Sequence, residues 1–124
     1  MTEPLALVLY EKVLPGSQLV NWLQDMHYRV QSVTSADLFL TEAERCKPMI
    51  ALVDLYSNEN KAIDAIRLLR HNPSTAHVPV IAFCVRIEPR QEAEAREAGA
   101  TLVVTEAAIA THLAQLLQQA LGEF

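Results

Sequence analysis

Three kinds of signal are missing from this sequence: paired cysteines, glycine-rich phosphate loops and long apolar runs. The two cysteines, Cys46 and Cys84, stand in unrelated contexts without CxxC spacing, so neither a disulfide framework nor a zinc site is expected, and a reducing cytoplasm fits. There is no GxGxxG and no GxxxxGKS/T, which argues against dinucleotide and P-loop nucleotide binding. A Gly-x-Ser-x-Gly elbow and the Asp-x-His-x-x-Gly loop of cobalamin carriers are also absent, so an independent enzyme is not expected. The apolar stretches are too short to span a bilayer, and the start Met-Thr-Glu-Pro has no basic region leading into an apolar run, so no signal peptide is expected. A formal net charge of −5 disfavours non-specific attraction to nucleic acid or anionic lipid. Protein partners are the better expectation.

What is present describes one compact unit over residues 1–124. A chain of this length with 51% hydrophobic residues can bury one substantial core. Leu5 to Tyr10 is a nearly continuous apolar run, as expected of a strand covered on both faces. Pro15, Gly16 and Ser17 break it, and Leu19, Trp22, Leu23 and Met26 then follow helical spacing to a stop near His27. Tyr28 to Val33 reads as a second strand, with Thr34 and Ser35 able to cap a helix running toward Lys47. Pro48 ends that helix, and Met49 to Val53 form the most buried strand, ending at Asp54. Ile63, Ile66 and Leu69 mark a helix closed by Asn72-Pro73. Val78 to Phe83 is a fourth strand, with Pro79 tolerable near its start. Gln91 to Ala98 is a charged, alanine-rich helix closed by Gly99. Leu102 to Val104 is a fifth strand, and Ile109, Leu113, Leu116, Leu117 and Leu121 mark a last helix.

Strict alternation of buried strands and amphipathic helices implies an α/β fold: a doubly wound, five-stranded parallel sheet with right-handed crossovers and helices on both faces. Sites in such sheets lie at the carboxyl ends of the strands. The residues to consider are therefore Tyr10 and Glu11, Asp54, Cys84 with Val85, and Thr105 with Glu106.

In their order and spacing, Pro48-Met-Ile-Ala-Leu-Val-Asp54, His77-Val-Pro-Val-Ile-Ala-Phe83 and Glu97-Ala-Gly-Ala-Thr-Leu-Val-Val104 resemble the receiver domains of bacterial response regulators. The resemblance covers nearly the whole chain and implies the CheY-like, flavodoxin-like (βα)5 fold. It implies that Asp54 matches the aspartate that takes a phosphoryl group from a histidine kinase. The family ends its first strand with two adjacent acids that hold a divalent cation; here those positions carry Tyr10 and Glu11. The serine or threonine ending the fourth strand is replaced by Cys84, whose thiol is a poorer hydrogen-bond partner. The lysine and proline ending the fifth strand are replaced by Thr105 and Glu106, and the aromatic switch position holds Leu102. Weak Mg²⁺ binding on Glu11, Asp54 and a loop carbonyl near Tyr56 is compatible with this set, because Mg²⁺ readily keeps several waters.

The resemblance thus implies a stand-alone, atypical receiver in two-component signalling. It would act through a histidine kinase or a downstream signalling protein, with Asp54 a poor phosphoacceptor; a homodimer is compatible. The alternatives are a phosphorylation-independent interaction module of the same shape and a flavodoxin-like cofactor carrier. For the carrier, only Gly16 and Ser17 stand after the first strand as phosphate-loop residues. Plainer readings exist for single residues. Cys84 reads as a small buried hydrophobe, Tyr10 as packing over the site, and Glu11 equally as a solvated acid. The four histidines read as surface or helix-end residues without metal-ligand spacing. The charge alternation from Arg86 to Glu97 is either a partner-binding face or a solvated helix with charge pairs.

Overall fold

A computed structural model describes residues 4–10, 13–55 and 59–122. Strands and helices alternate: β1 (Leu5–Leu9), α1 (Val13–Asp25), β2 (Arg29–Val33), α2 (Ala36–Cys46), β3 (Ile50–Asp54), α3 (Glu59–His71), β4 (Val80–Cys84), α4 (Pro89–Ala98), β5 (Leu102–Thr105) and α5 (Glu106–Leu121). The strands form one parallel sheet in the order β2-β1-β3-β4-β5. This is the CheY-like, flavodoxin-type doubly wound arrangement. The chain winds outward from β1 to β2, then crosses back to β3 on the other side of β1, so the winding reverses between β1 and β3. Open α/β sheets bind their ligands beside such a reversal.

Side chains alternate across a strand, and the alternation divides the core in two. Leu7, Leu9, Ala51, Val53, Val80, Ala82 and Cys84 meet Phe39 and Ala43 of α2, Ile63, Ile66 and Leu69 of α3, and Ala95 of α4. Ala6, Val8, Ile50, Leu52, Ile81 and Phe83 meet Leu19 and Leu23 of α1 and Ile109, Leu113 and Leu117 of α5. Each helix thus offers one apolar stripe at the spacing of its turns. The stops follow local chemistry. The Ser35 hydroxyl accepts from the Asp37 N–H at 3.3 Å to begin α2, and Lys47 ends it in the left-handed region at φ 49°.

Several boundaries differ from the sequence-based expectation. Helix α1 begins at Val13 rather than near Leu19. Pro15 falls in its first turn, where N–H groups have no intrahelical acceptor, so the proline does not oppose the helix. Strand β2 begins at Arg29 rather than Tyr28, because the Tyr28 N–H donates to the Leu23 carbonyl in the turn that closes α1. Strand β4 begins at Val80 rather than Val78, because the Val78 N–H closes a turn onto the Thr75 carbonyl. Helix α4 begins at Pro89 rather than Gln91, since proline suits the first helical position. Strand β5 runs on through Thr105. His112 is a surface residue, as expected, and stands inside α5, where its φ −133° and ψ 28° interrupt the helix. The Thr111 hydroxyl donates to the Ala107 carbonyl at 3.0 Å just before it, a bond of the kind that bends helices.

The far ends of α3 and α4 are tied by Arg70. Its guanidinium donates from Nη1 to the Ala76 carbonyl and from Nη2 to the Gly99 carbonyl, the latter at 2.7 Å. Gly99 caps α4 at φ 126°, and a Cβ there would stand 2.8 Å from Arg70 Nε. Gly99→Ala is therefore expected to lower stability by about 1–3 kcal/mol, read as a lower urea midpoint with an unchanged slope. Gly122→Ala, at φ 76° with open space around the position and at the end of the last helix, should lose less.

Candidate functional site

Every residue of β3 is buried, and the last of them is Asp54, at 2% exposure. Asp54 stands in register with Phe83 of β4, and the next N–H, that of Leu55, still donates to the Phe83 carbonyl at 2.9 Å. One step along β4, Cys84 stands in register with Thr105 of β5. The sheet therefore brings Asp54, Cys84 and Thr105 to one edge, beside the winding reversal. Tyr10 follows β1; its N–H donates to the Val33 carbonyl at 3.0 Å, and its ring is half-buried against the cluster under α1 and α5. Glu11 and Tyr56, the other expected metal ligands, lie outside the described residues. Among the described residues there is no group of three or more His, Cys, Asp or Glu side chains that could hold a metal ion.

Cys84 is 3% exposed, and its thiol donates to the Val104 carbonyl at 3.6 Å. Burial pushes this thiol above its ordinary value, and the carboxylates of Glu106, Asp54, Glu92 and Glu88 push it the same way. Both causes disfavour a thiolate, so at neutral pH Cys84 is a protonated, small apolar group. Of these carboxylates two are paired with arginines, Glu88 with Arg86 at 3.8 Å and Glu92 with Arg96 at 3.6 Å.

Thr105 is committed elsewhere. It is the N-cap of α5, and its hydroxyl accepts from the Ala108 N–H at 3.1 Å. Comparison of this position with a lysine hid that role, although a threonine just before helical spacing is itself a capping signal. Leu102 is half-buried and packs with the α1 and α5 cluster. Glu106 lines a shallow pocket with Leu19, Trp22, Phe83 and Ile109, between α1 and α5. One further contact escaped the sequence reading: Gln91 of α4 donates from Nε2 to the Leu55 carbonyl at 3.4 Å, at the residue after Asp54.

The sequence matches no family model and no curated protein. Solved structures do match its fold. A protein from Chloroflexus aurantiacus J-10-fl assigned as a response regulator superposes with a TM-score of 0.88 at 16% identity, over 98% of this chain and 99% of that one. The chemotaxis response regulator CheY4 of Vibrio cholerae gives 0.85 at 17% identity, over 96% and 99%. A response regulator from Burkholderia pseudomallei, solved with a phosphorylated aspartic acid, a calcium ion and citrate, gives 0.80 at 16% identity, over 95% of this chain and 66% of that one. At these identities the likeness is one of fold: the chain has the architecture of receiver domains.

The state of Cys84 can be tested through its chemistry. With a thiol reagent at pH 8, the native protein should label at half-exposed Cys46 while Cys84 reacts only on unfolding; the Cys46→Ser variant should then be nearly inert. Because the folded protein holds the Cys84 proton more tightly than the unfolded chain, the associated stability is complete below the ordinary thiol value near 9.0. It is lost as pH rises from there through the raised folded value. The wild-type protein should therefore lose stability above pH 9 more steeply than Cys84→Ala, measured by urea unfolding across the alkaline range.

Proposed function

We propose that this chain is an atypical receiver of the response-regulator kind, in which Asp54 is a weak phosphoacceptor and the output is contact with other proteins. The observation that supports this reading best is the placement of Asp54. It is a buried acid ending a central strand, beside the winding reversal of a sheet shared with response regulators. A regulator of that fold carries a phosphorylated aspartic acid and a calcium ion, and the same chemistry is assigned here to Asp54. In this reading the domain has no turnover of its own, works in the cytoplasm, and meets a histidine kinase or a downstream signalling protein. No helix among the described residues is long and apolar enough to cross a membrane.

The weakness follows from charge. A phosphoryl group would raise the negative charge at Asp54 from about −1 to roughly −1.5 to −2, and phosphoryl transfer depends on neutralising it. The position that the resemblance gives to a lysine holds Thr105, which caps a helix instead of presenting a cation, and the next residue, Glu106, adds a carboxylate that acts with Asp54 on the Cys84 thiol. Mg²⁺, where bound, would supply the positive charge that neutralises the phosphoryl group. Asp54 is the described member of the ligand set, and Glu11 with a carbonyl near Tyr56 completes it in this proposal. Thr105 in place of a cation also favours a second reading, a module of the same shape that binds its partners without phosphorylation.

Titration with Mg²⁺, with and without beryllium fluoride as the acyl-phosphate mimic, separates the two. Trp22 is a suitable reporter because it shares a pocket with Phe83, whose register partner is Asp54. A saturable change in Trp22 fluorescence and in amide shifts near Asp54, absent in Asp54→Asn, is the expected result. No response at millimolar metal would leave the phosphorylation-independent module. Thr105→Lys sharpens the test, since its effects oppose one another. Restoring a cation should tighten beryllium fluoride binding by roughly tenfold or more, while loss of the cap lowers stability by about 1 kcal/mol. Thr105→Ala should show only the second effect.

A further inference from the structure

Resting on that reading of Asp54, we propose that Gln91 is a positioning residue that latches α4 to the end of β3, so that a change at Asp54 reaches α4 through the Leu55 carbonyl. The Leu55 peptide is held on both sides. Its N–H donates to the Phe83 carbonyl at 2.9 Å and its carbonyl accepts from Gln91 Nε2 at 3.4 Å. Its side chain is fully buried, so the backbone that follows Asp54 cannot shift without disturbing one of these partners. The start of α4 is correspondingly dependent on contacts outside itself. The side chain of its N-cap residue, Glu88, makes no capping hydrogen bond, and the helix opens on Pro89. Gln91 occupies the third helical position, where a glutamine commonly reaches back to the N-cap N–H; here its amide reaches across to β3.

The groups expected to relay a change at Asp54 are engaged in other ways. The Cys84 thiol donates toward β5, to the Val104 carbonyl. Thr105 is bound to the first turn of α5, and Leu102 packs into the cluster under α1 and α5. Gln91 makes a polar link, across 36 positions of sequence, from the acceptor strand to the helix whose outer face carries Arg90, Glu94, Arg96 and Glu97. Chemistry at Asp54 that moves the Leu55 peptide would lengthen or shorten an already long hydrogen bond, and the first turn of α4 would follow or be released.

A double-mutant cycle tests the latch, reading backbone amide hydrogen exchange from Glu92 to Gly99. In the wild-type background, Asp54→Asn is expected to change the exchange of these amides by about threefold or more; in Gln91→Met, which keeps length and removes the donor, the same change should fall below roughly twofold. Gln91→Lys, which keeps a donor, should restore the larger response, a rescue that a merely structural role would not produce. Equal responses in the wild-type and Gln91→Met backgrounds, or no rescue by lysine, would overturn the proposal. The cycle needs no phosphorylation, so its failure is distinct from a failure of beryllium fluoride to bind.

Discussion

The structure depends on a central strand that must be apolar on both sides. From Ile50 to Val53 every side chain of β3 is fully buried, alternately under α2–α4 and under α1 and α5. Hydrogen-bonded neighbours flank the strand on both edges. Such a strand has no lateral position for a polar side chain, because an unpaired polar group in that core would go unsolvated. Polar chemistry is therefore confined to the strand's ends. The amino end is closed by the turn through Pro48, and the carboxyl end opens at Asp54. The location of the candidate site follows from the burial that stabilises the fold.

Placing an acid at that opening sets the electrostatic problem the rest of the edge must meet. A phosphoryl-accepting edge needs fixed positive charge or a bound cation, since positioning and neutralisation are most of the catalysis. In this chain Thr105 caps α5 at the position where the resemblance would place a cation, and the described arginines of α4 and the turn before it are paired with glutamates: Arg86 with Glu88 at 3.8 Å, Arg90 with Glu94 at 3.3 Å and Arg96 with Glu92 at 3.6 Å. Such exposed pairs contribute little to stability. They make the charge alternation of α4 a row of exposed charge pairs. The thiol at Cys84 suits its surroundings, because a group that stays neutral and apolar is compatible with both burial and neighbouring negative charge.

Strand β3 and its terminal aspartate were legible in the sequence because two-sided burial leaves a short continuous apolar run that ends abruptly in a charge. Misplaced boundaries have physical causes. Val78 is as buried as a strand residue, yet its N–H belongs to a turn, and burial and ladder pairing leave the same mark on a sequence. Pro15 looked like a breaker because its effect depends on whether it falls in the first turn of a helix or later. The role of Thr105 was hidden by reading the position as a lost lysine instead of as a cap. Gln91 carried no local signal at all: its acceptor is the backbone of a residue on another element, and a backbone carbonyl leaves no trace in composition or spacing.

The clamp at Arg70 bears on how α4 can move. With its last carbonyls closed by Gly99 and the Gly99 carbonyl held by Arg70, the helix is anchored at its carboxyl end, and any rigid displacement becomes a rotation about that fulcrum. A helix of 10 residues is about 15 Å long, so a tilt of about 10° would carry its first turn through roughly 2.6 Å while leaving its last turn almost in place. Mechanically, α4 is a lever whose long arm ends at Pro89, Arg90 and Gln91. A partner gripping the helix near Glu97 would meet a nearly fixed surface, and one gripping it near Arg90 a surface whose position follows the state of the sheet edge.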